Sequence, residues 1–187
     1  TGASRGIGRA IARQLAKEGM HLVFVARSKV DLDETAADCE TEFLVLPVDL
    51  RDQQAPEAVV AAALKRFGKC DLLVNNAGAT KRGDFTELSD EDLADGFALK
   101  FFGAMRMCRA AWPHLMKQSG SIINISGIGG RTGSSEFTIG GAVNAAMLNL
   151  TKSLADRGIK DGIRVNAINP SSILTDRLQI RINKMAE

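Results

Sequence analysis

Three glycines, Gly2, Gly6 and Gly8, stand at the start of a stretch with helical spacing, residues 6–18 (GIGRAIARQLAKE), and this arrangement restricts the fold more than any other feature of the chain. Glycine lets backbone pass close to another group, and a helix start offers N–H donors and the positive end of a dipole. Together they suit a bound pyrophosphate. A glycine triplet alone is weak, since ordinary turns use glycine too. Its setting adds weight: Gly19 marks a helix stop, and residues 21–26 (HLVFVA) form an apolar run suited to a buried parallel strand. That run ends at Val25-Ala26-Arg27, about 20 residues beyond the loop.

Helix and strand candidates alternate from there. The pattern predicts a helix over 29–39, a strand over 43–46, and a helix from Pro56 to Phe67 with the proline as its first residue. A strand over 71–74 follows, then a long helix capped by Ser89 and running to Met116. A strand over 121–125, a helix over 140–157 and a strand over 163–168 complete the series before Pro170. Such alternation implies parallel strands, right-handed crossovers and helices on both faces. The expected fold is α/β: a Rossmann-type, doubly wound parallel sheet in three layers, as a single domain over 1–187. A glycine loop of this kind should follow a strand, and the doubly wound order puts that strand at the sheet centre. The sequence opens at the loop, so a split sheet is expected, with the first strand and the C-terminal part outside the sequence.

Charge excludes some partners. The 24 basic and 22 acidic residues are interspersed, for a net charge of +2, which gives no electrostatic case for nucleic acid or a membrane surface. No apolar run reaches the length of a bilayer span. Cys39, Cys70 and Cys108 are far apart and odd in number, which suits a reducing, cytoplasmic setting. Neither His21 nor His114 has a partner at ligand spacing, so no metal site is expected.

The spacing TGxxxGxG over Thr1–Gly8 resembles that of the short-chain dehydrogenase/reductase family, and the likeness recurs along the chain. Asp49-Leu50 looks like the family's adenine-contacting acid, Asn75-Asn-Ala-Gly78 like its NNAG segment, and Val165-Asn-Ala-Ile-Asn-Pro170 like its late strand and loop. The resemblance implies a nicotinamide cofactor lined by Gly2, Ser4, Arg5, Gly6, Ile7, Gly8, Arg27, Asp49, Leu50, Asn75, Ala77, Gly78, Asn144, Pro170, Ile173 and Thr175. Charge decides which cofactor. An NAD site usually carries an acid at the end of the second strand; the matching residue here is Ala26, followed by Arg27. With Arg5 in the glycine loop, two guanidiniums favour a 2′-phosphate, and hence NADP(H) over NAD(H). A solvated surface arginine is the plainer alternative for Arg27.

Hydride transfer to a carbonyl builds negative charge on oxygen, so a reductase needs a proton donor and hydrogen-bond donors. The family resembled here uses Tyr as acid, a Lys that lowers its pKa, a carbonyl-binding Ser, and an Asn linked to the Lys through water. This sequence holds no tyrosine. The segment Leu150-Thr-Lys-Ser-Leu-Ala155 is similar to the family's helix tail and sets Asn144 at the Lys position and Gly140 at the Tyr position. The turn Ile125-Ser126-Gly127 sets Gly127 at the Ser position, and 140 − 127 = 13 repeats the family spacing. Lys100, three residues before Gly103, falls at the Asn position. Pro170-Ser171 also departs from the usual Pro-Gly.

Lys100 has an apolar helical face (Ala104, Met107, Cys108, Ala111), an odd home for a cation. One reading is a snorkelling stem with its ammonium at the surface. The other is a reciprocal exchange, with the amine moved to Lys100 and an amide to Asn144. Lys100 would then donate to a developing oxyanion, helped by Ser126 or Thr138, and Asn144 would bind the cofactor ribose. Glu136 is a further candidate proton donor, or a solvated loop acid. The candidate catalytic set is Lys100, Asn144 and Ser126.

Two functions follow. The first is an NADP(H)-dependent oxidoreductase acting on a small carbonyl or alcohol with non-standard residues. The second is an NADP-binding sensor or oligomer partner without turnover. Substrate specificity is expected in segments 78–88 and 171–187. Apolar and small residues on helices 90–116 and 140–157 (Phe101, Phe102, Ala104, Ala145, Ala146, Met147) predict a homodimer or homotetramer.

Overall fold

The structure, a computed structural model, describes residues 1–186; Glu187, the last residue of the expected specificity segment, lies outside them. Five parallel strands alternate with helices. Helix α1 (Gly6–Lys17) leads to β1 (Leu22–Ala26), α2 (Lys29–Ala37) to β2 (Phe43–Pro47), and α3 (Ala55–Phe67) to β3 (Leu72–Asn75). Next come α4 (Asp90–Phe97), a π-helical turn (Ala98–Gly103) and α5 (Ala104–Met116), then β4 (Ser121–Ile125), α6 (Thr138–Asp161), β5 (Arg164–Ile168) and α7 (Asp176–Ala186). Among the described residues, no helix is long and apolar enough to cross a membrane.

The strands form two sheets. β1 pairs with β2 in register from Leu22↔Phe43 to Ala26↔Pro47, while β3, β4 and β5 form a separate sheet in that order. A cavity of about 500 Å³ separates β1 from β3, lined by Ile11, Leu22, Phe24, Val59, Leu73 and Met107. Two clusters flank it. Phe24, Leu32, Ala12 and Ala36 join α1 and α2 to β1, while Val25, Val59, Met107, Leu115, Ile122 and Val165 join α3 and α5 to the other face of β1 and to the second sheet.

Local chemistry sets the ends of the elements. The Ser89 hydroxyl accepts from the Asp92 N–H, and the Asp92 carboxylate accepts from the Ser89 N–H, which makes a capping box for α4. Gly68 and Gly162, both with positive φ, close α3 and α6. The long helix expected from Ser89 to Met116 is interrupted at Ala98–Gly103, where Gly103 passes close to the Leu50 carbonyl; a Cβ there would lie 3.1 Å from that oxygen. Helix α6 runs further than expected at both ends, and α7 was not predicted.

A polar ladder crosses the second sheet. The Asn75 amide donates to the Asn124 side-chain oxygen (3.0 Å) and to the Cys108 sulfur (3.2 Å). Asn124 in turn donates to the Thr151 hydroxyl (2.9 Å), which donates to the Met147 carbonyl. Two residues expected at a subunit interface lie instead in the monomer's interior: Ala104 and Met147 are buried, because their helices turn those faces to the sheet. Phe102 and Ala145 remain exposed.

Candidate cofactor and active site

The glycine loop is built by backbone crowding. Gly2 and Gly6 hold positive φ (65° and 55°), open to glycine at little cost. The N–H groups of Gly2 and Ala3 both donate to the Val25 carbonyl and tie the loop to the end of β1. Gly8 packs on the Gly2 carbonyl so closely that a Cβ would overlap it. No acid occupies the first turn of α1, and Arg5 at its N-cap makes no side-chain capping bond. The N–H groups of that turn are therefore left to an outside acceptor. Arg9 fixes the loop from below, donating to the Ser4 carbonyl through two nitrogens (3.0 and 2.5 Å) and to Glu34 on α2. The sequence reading missed Arg9.

Arg5 and Arg27 are both exposed, Arg27 directly after β1. Asp49 is half-buried and accepts from the Arg51 N–H (3.0 Å), and the Arg51 guanidinium makes a two-pronged contact with Asp95 (2.6 and 2.9 Å). That contact holds the Asp95 carboxyl below its ordinary value, and Arg27 acts in the same direction more weakly.

Two residues expected to contact the cofactor turn their side chains into the core. The Asn75 side chain is buried in the ladder with Asn124 and Cys108, because alternation along β3 turns it into the core. Its neighbour Asn76 faces the glycine loop instead, donating to the carbonyls of Thr1 (3.1 Å) and Gly2 (3.2 Å). The Leu50 side chain likewise packs in the core, where the α3–α5 cluster gathers it. The Ala77 N–H donates to the Thr1 hydroxyl (3.0 Å), and Gly78 abuts the Lys100 stem.

Lys100, Ser126 and Asn144 come together. The Lys100 amine lies 2.5 Å from the Ser126 carbonyl oxygen and donates to it. The snorkelling reading therefore fails, since the stem runs across Gly78 into the site rather than out to solvent. The Ser126 hydroxyl is buried and donates to the Asn144 main-chain carbonyl (3.0 Å). Its one proton is thereby engaged, against the assisting role expected of it. Asn144 is 3% exposed, and its side-chain oxygen has no protein partner. The Thr138 hydroxyl at the start of α6 is also buried without a partner, whereas Glu136 is exposed.

Two glycines shape this corner. Gly127 has φ 146° and ψ 147°, a conformation other residues rarely adopt, and a Cβ there would sit 3.0 Å from the Asn144 amide nitrogen. Gly140 packs against the ring of Phe137, which overlaps the position of any Cβ added there. The late loop closes over the glycine loop. The Pro170 carbonyl accepts from Ile128 (3.0 Å), Ile173 is exposed, and the Thr175 methyl lies 3.6 Å from a Cβ built on Gly6. Among the described residues, no three His, Cys, Asp or Glu side chains gather to hold a metal ion.

The glycine cradle, the unmet N–H groups of α1 and the unpartnered Asn144 oxygen fit a dinucleotide laid from the α1 start toward α6. Known proteins resemble this chain in sequence and fold. An uncharacterised oxidoreductase of Mycobacterium tuberculosis is 35% identical over 185 residues, covering 96% of this chain and 70% of that protein. A short-chain dehydrogenase from Streptomyces avermitilis superposes with a TM-score of 0.89 at 35% identity, over 95% of this chain and 66% of that one. L-sorbose reductase of Gluconobacter frateurii, solved with NADPH and L-sorbose, gives a TM-score of 0.92 at 35% identity, over 99% of this chain and 72% of that one. The chain thus spans about two thirds of the length of the proteins it resembles. A model of the short chain dehydrogenases matches residues 1–186, and with it the glycine loop, the parallel sheet and the relatives agree: the chain belongs to the short-chain dehydrogenase family.

Proposed function

We propose that this chain is the larger part of an NADP(H)-dependent oxidoreductase acting on a small carbonyl or alcohol, with a non-standard set of site residues. The carrying observation is the Lys100 amine, brought 2.5 Å from the Ser126 carbonyl beside the unpartnered Asn144 oxygen. Bound NADP(H) would supply the hydride. Gly2, Gly6 and Gly8 would admit its pyrophosphate to the first turn of α1, and Arg5 and Arg27 would meet the 2′-phosphate. Asn144 would accept from the ribose, and Asp49 would face the adenine side. Lys100 would hold a proton near the carbonyl oxygen and stabilise charge developing there. The NADPH held by the similar L-sorbose reductase supports this cofactor. Exposed Phe102 and Ala145 support pairing of the α4–α5 and α6 helices in a homodimer or homotetramer, and the three free cysteines suit a cytoplasmic setting.

A second reading has its own observation. With the Ser126 proton engaged and no tyrosine in the chain, no phenol stands ready as acid, which favours an NADP-binding protein without turnover. Calorimetric binding of NADPH, paired with NADPH oxidation over a panel of small ketones and diketones, separates the two. Tight binding with oxidation supports the first reading; tight binding with none across the panel leaves the second.

A further inference from the structure

Phe137 lies three residues before Gly140, at the entry to α6, and its ring is wedged between two glycines. One ring edge overlaps the space of a Cβ at Gly140. The other would lie 2.9 and 3.0 Å from a Cβ at Gly129. That same Gly129 position is 3.7 Å from the Asn144 amide nitrogen, so the ring borders the candidate site. The Arg82 guanidinium stacks 3.8 Å from the ring centroid, and the Gly83 N–H donates to the Glu136 carbonyl (3.2 Å), which ties the 78–88 segment to the turn carrying Phe137.

The geometry points to Phe137 as the positioning residue of the substrate side: its ring occupies the volume that a side chain at 140 would fill, and Arg82 holds it there. Residue 140 and Phe137 therefore compete for one space. A substrate meets an aromatic edge that contributes shape and no proton. That this is the substrate side rests on the function proposed above; the shared volume does not.

Stability measures the competition directly. Alanine for glycine inside a helix ordinarily stabilises. With Phe137 present, Gly140→Ala should instead lower the thermal midpoint, by about 2–4 °C for each kcal/mol lost in a chain of this size. In a Phe137→Ala background the same substitution should raise it. An equal rise in both backgrounds overturns the proposal.

A spectroscopic arm goes beyond packing. The chain has no tyrosine, so Gly140→Tyr introduces the only phenol, and tyrosinate absorbance reports on it alone. With Phe137 in place the phenol is kept out and should titrate near the free value of about 10. In Phe137→Ala/Gly140→Tyr it should enter beside Asn144 and move away from that value. Should Phe137→Ala fail to fold, Phe137→Leu serves in both arms. Identical titration in both backgrounds counts against the proposal. Coupling in both arms with no NADPH oxidation by any variant upholds the role of the ring and removes the turnover reading instead.

Discussion

Lys100 reaches from the π-helical turn to the Ser126 carbonyl oxygen, 2.5 Å away, with its stem laid over Gly78. The contact joins the helix after β3 to the turn after β4 through a charged donor. Such bonds contribute about 1.5–3 kcal/mol. As the proposed donor to a developing oxyanion, Lys100 should matter most in the transition state, so Lys100→Met should slow NADPH oxidation roughly 100-fold or more, while NADPH affinity shifts less than about threefold. Steady-state rates and calorimetry on the same preparation check this. A variant as fast as the unmutated protein removes Lys100 from the chemistry.

Cofactor choice should follow the two exposed arginines. The unmutated protein should bind NADPH more tightly than NADH, and Arg27→Ala should lose most of that preference, a few kcal/mol at most. Arg5→Ala should lose a smaller share. Equal affinity of the unmutated protein for both nucleotides contradicts the reading.

The glycines should differ sharply in tolerance. Gly19 has φ 77° with nothing within 4 Å of an added Cβ, so Gly19→Ala should cost only the left-handed strain, roughly 1–2 kcal/mol. Gly8→Ala drives a methyl into the Gly2 carbonyl and should cost more, with loss of nucleotide binding. Urea melts and calorimetry on both variants test the contrast.

Much of this was legible in the sequence where one short stretch carries the signal. The alternation of elements, the glycine loop and the Ser89 cap depend on neighbours a few residues apart, and the structure repeats them. The π-helical turn was not legible, because apolar spacing continues through Ala98–Gly103 and only the approach of Gly103 to Leu50 betrays it. Arg9, Asn76 and Arg51 act on backbone or carboxylates that folding brings near them, which a linear reading does not show. Phe137 was missed for the same reason: its relation to Gly140 is local, but its wedge against Gly129 and its stack with Arg82 are not. The segment Asn75-Asn-Ala-Gly78 is plain in the sequence, but which of its two asparagines turns inward is not. Alternation along β3, once its bounds are known, gives Asn75.

The Cys108 thiol should be inert in the native state. Burial pushes its pKa from 9.0 up to about 12, against a smaller opposing effect of the Asn75 hydrogen bond. The neutral thiol favours the fold, so its contribution is fully present below about pH 9 and is lost as pH rises toward 12. Cys108→Ala should flatten the alkaline limb of stability against pH. Thiol labelling of the unmutated protein at pH 8 should reach Cys108 only after denaturant is added.

The Asp95 carboxyl behaves oppositely. The Arg51 hydrogen bond depresses its pKa below 3.8, so its contribution is present above that value and falls away as pH drops through the lowered one. The Asp95 side chain is more than half exposed, and Asp95→Asn should change the acid limb by less than about 1 kcal/mol. Acid titration of both proteins by circular dichroism measures the difference.

The ladder of Asn75, Asn124 and Thr151 bears on how β3 finds its place. β3 is four residues long, and apolar patterning alone forbids only odd shifts along β4, since an odd slip turns every side chain to the wrong face. A slip by two keeps each face correct and would pass that test. It would also carry Asn75 away from Asn124 and strand two amides in the core, each without the partner it needs. Hydrophobicity thus rules out half of the wrong alignments, and the buried amides rule out the remainder, so that β3 has a single stopping point against β4.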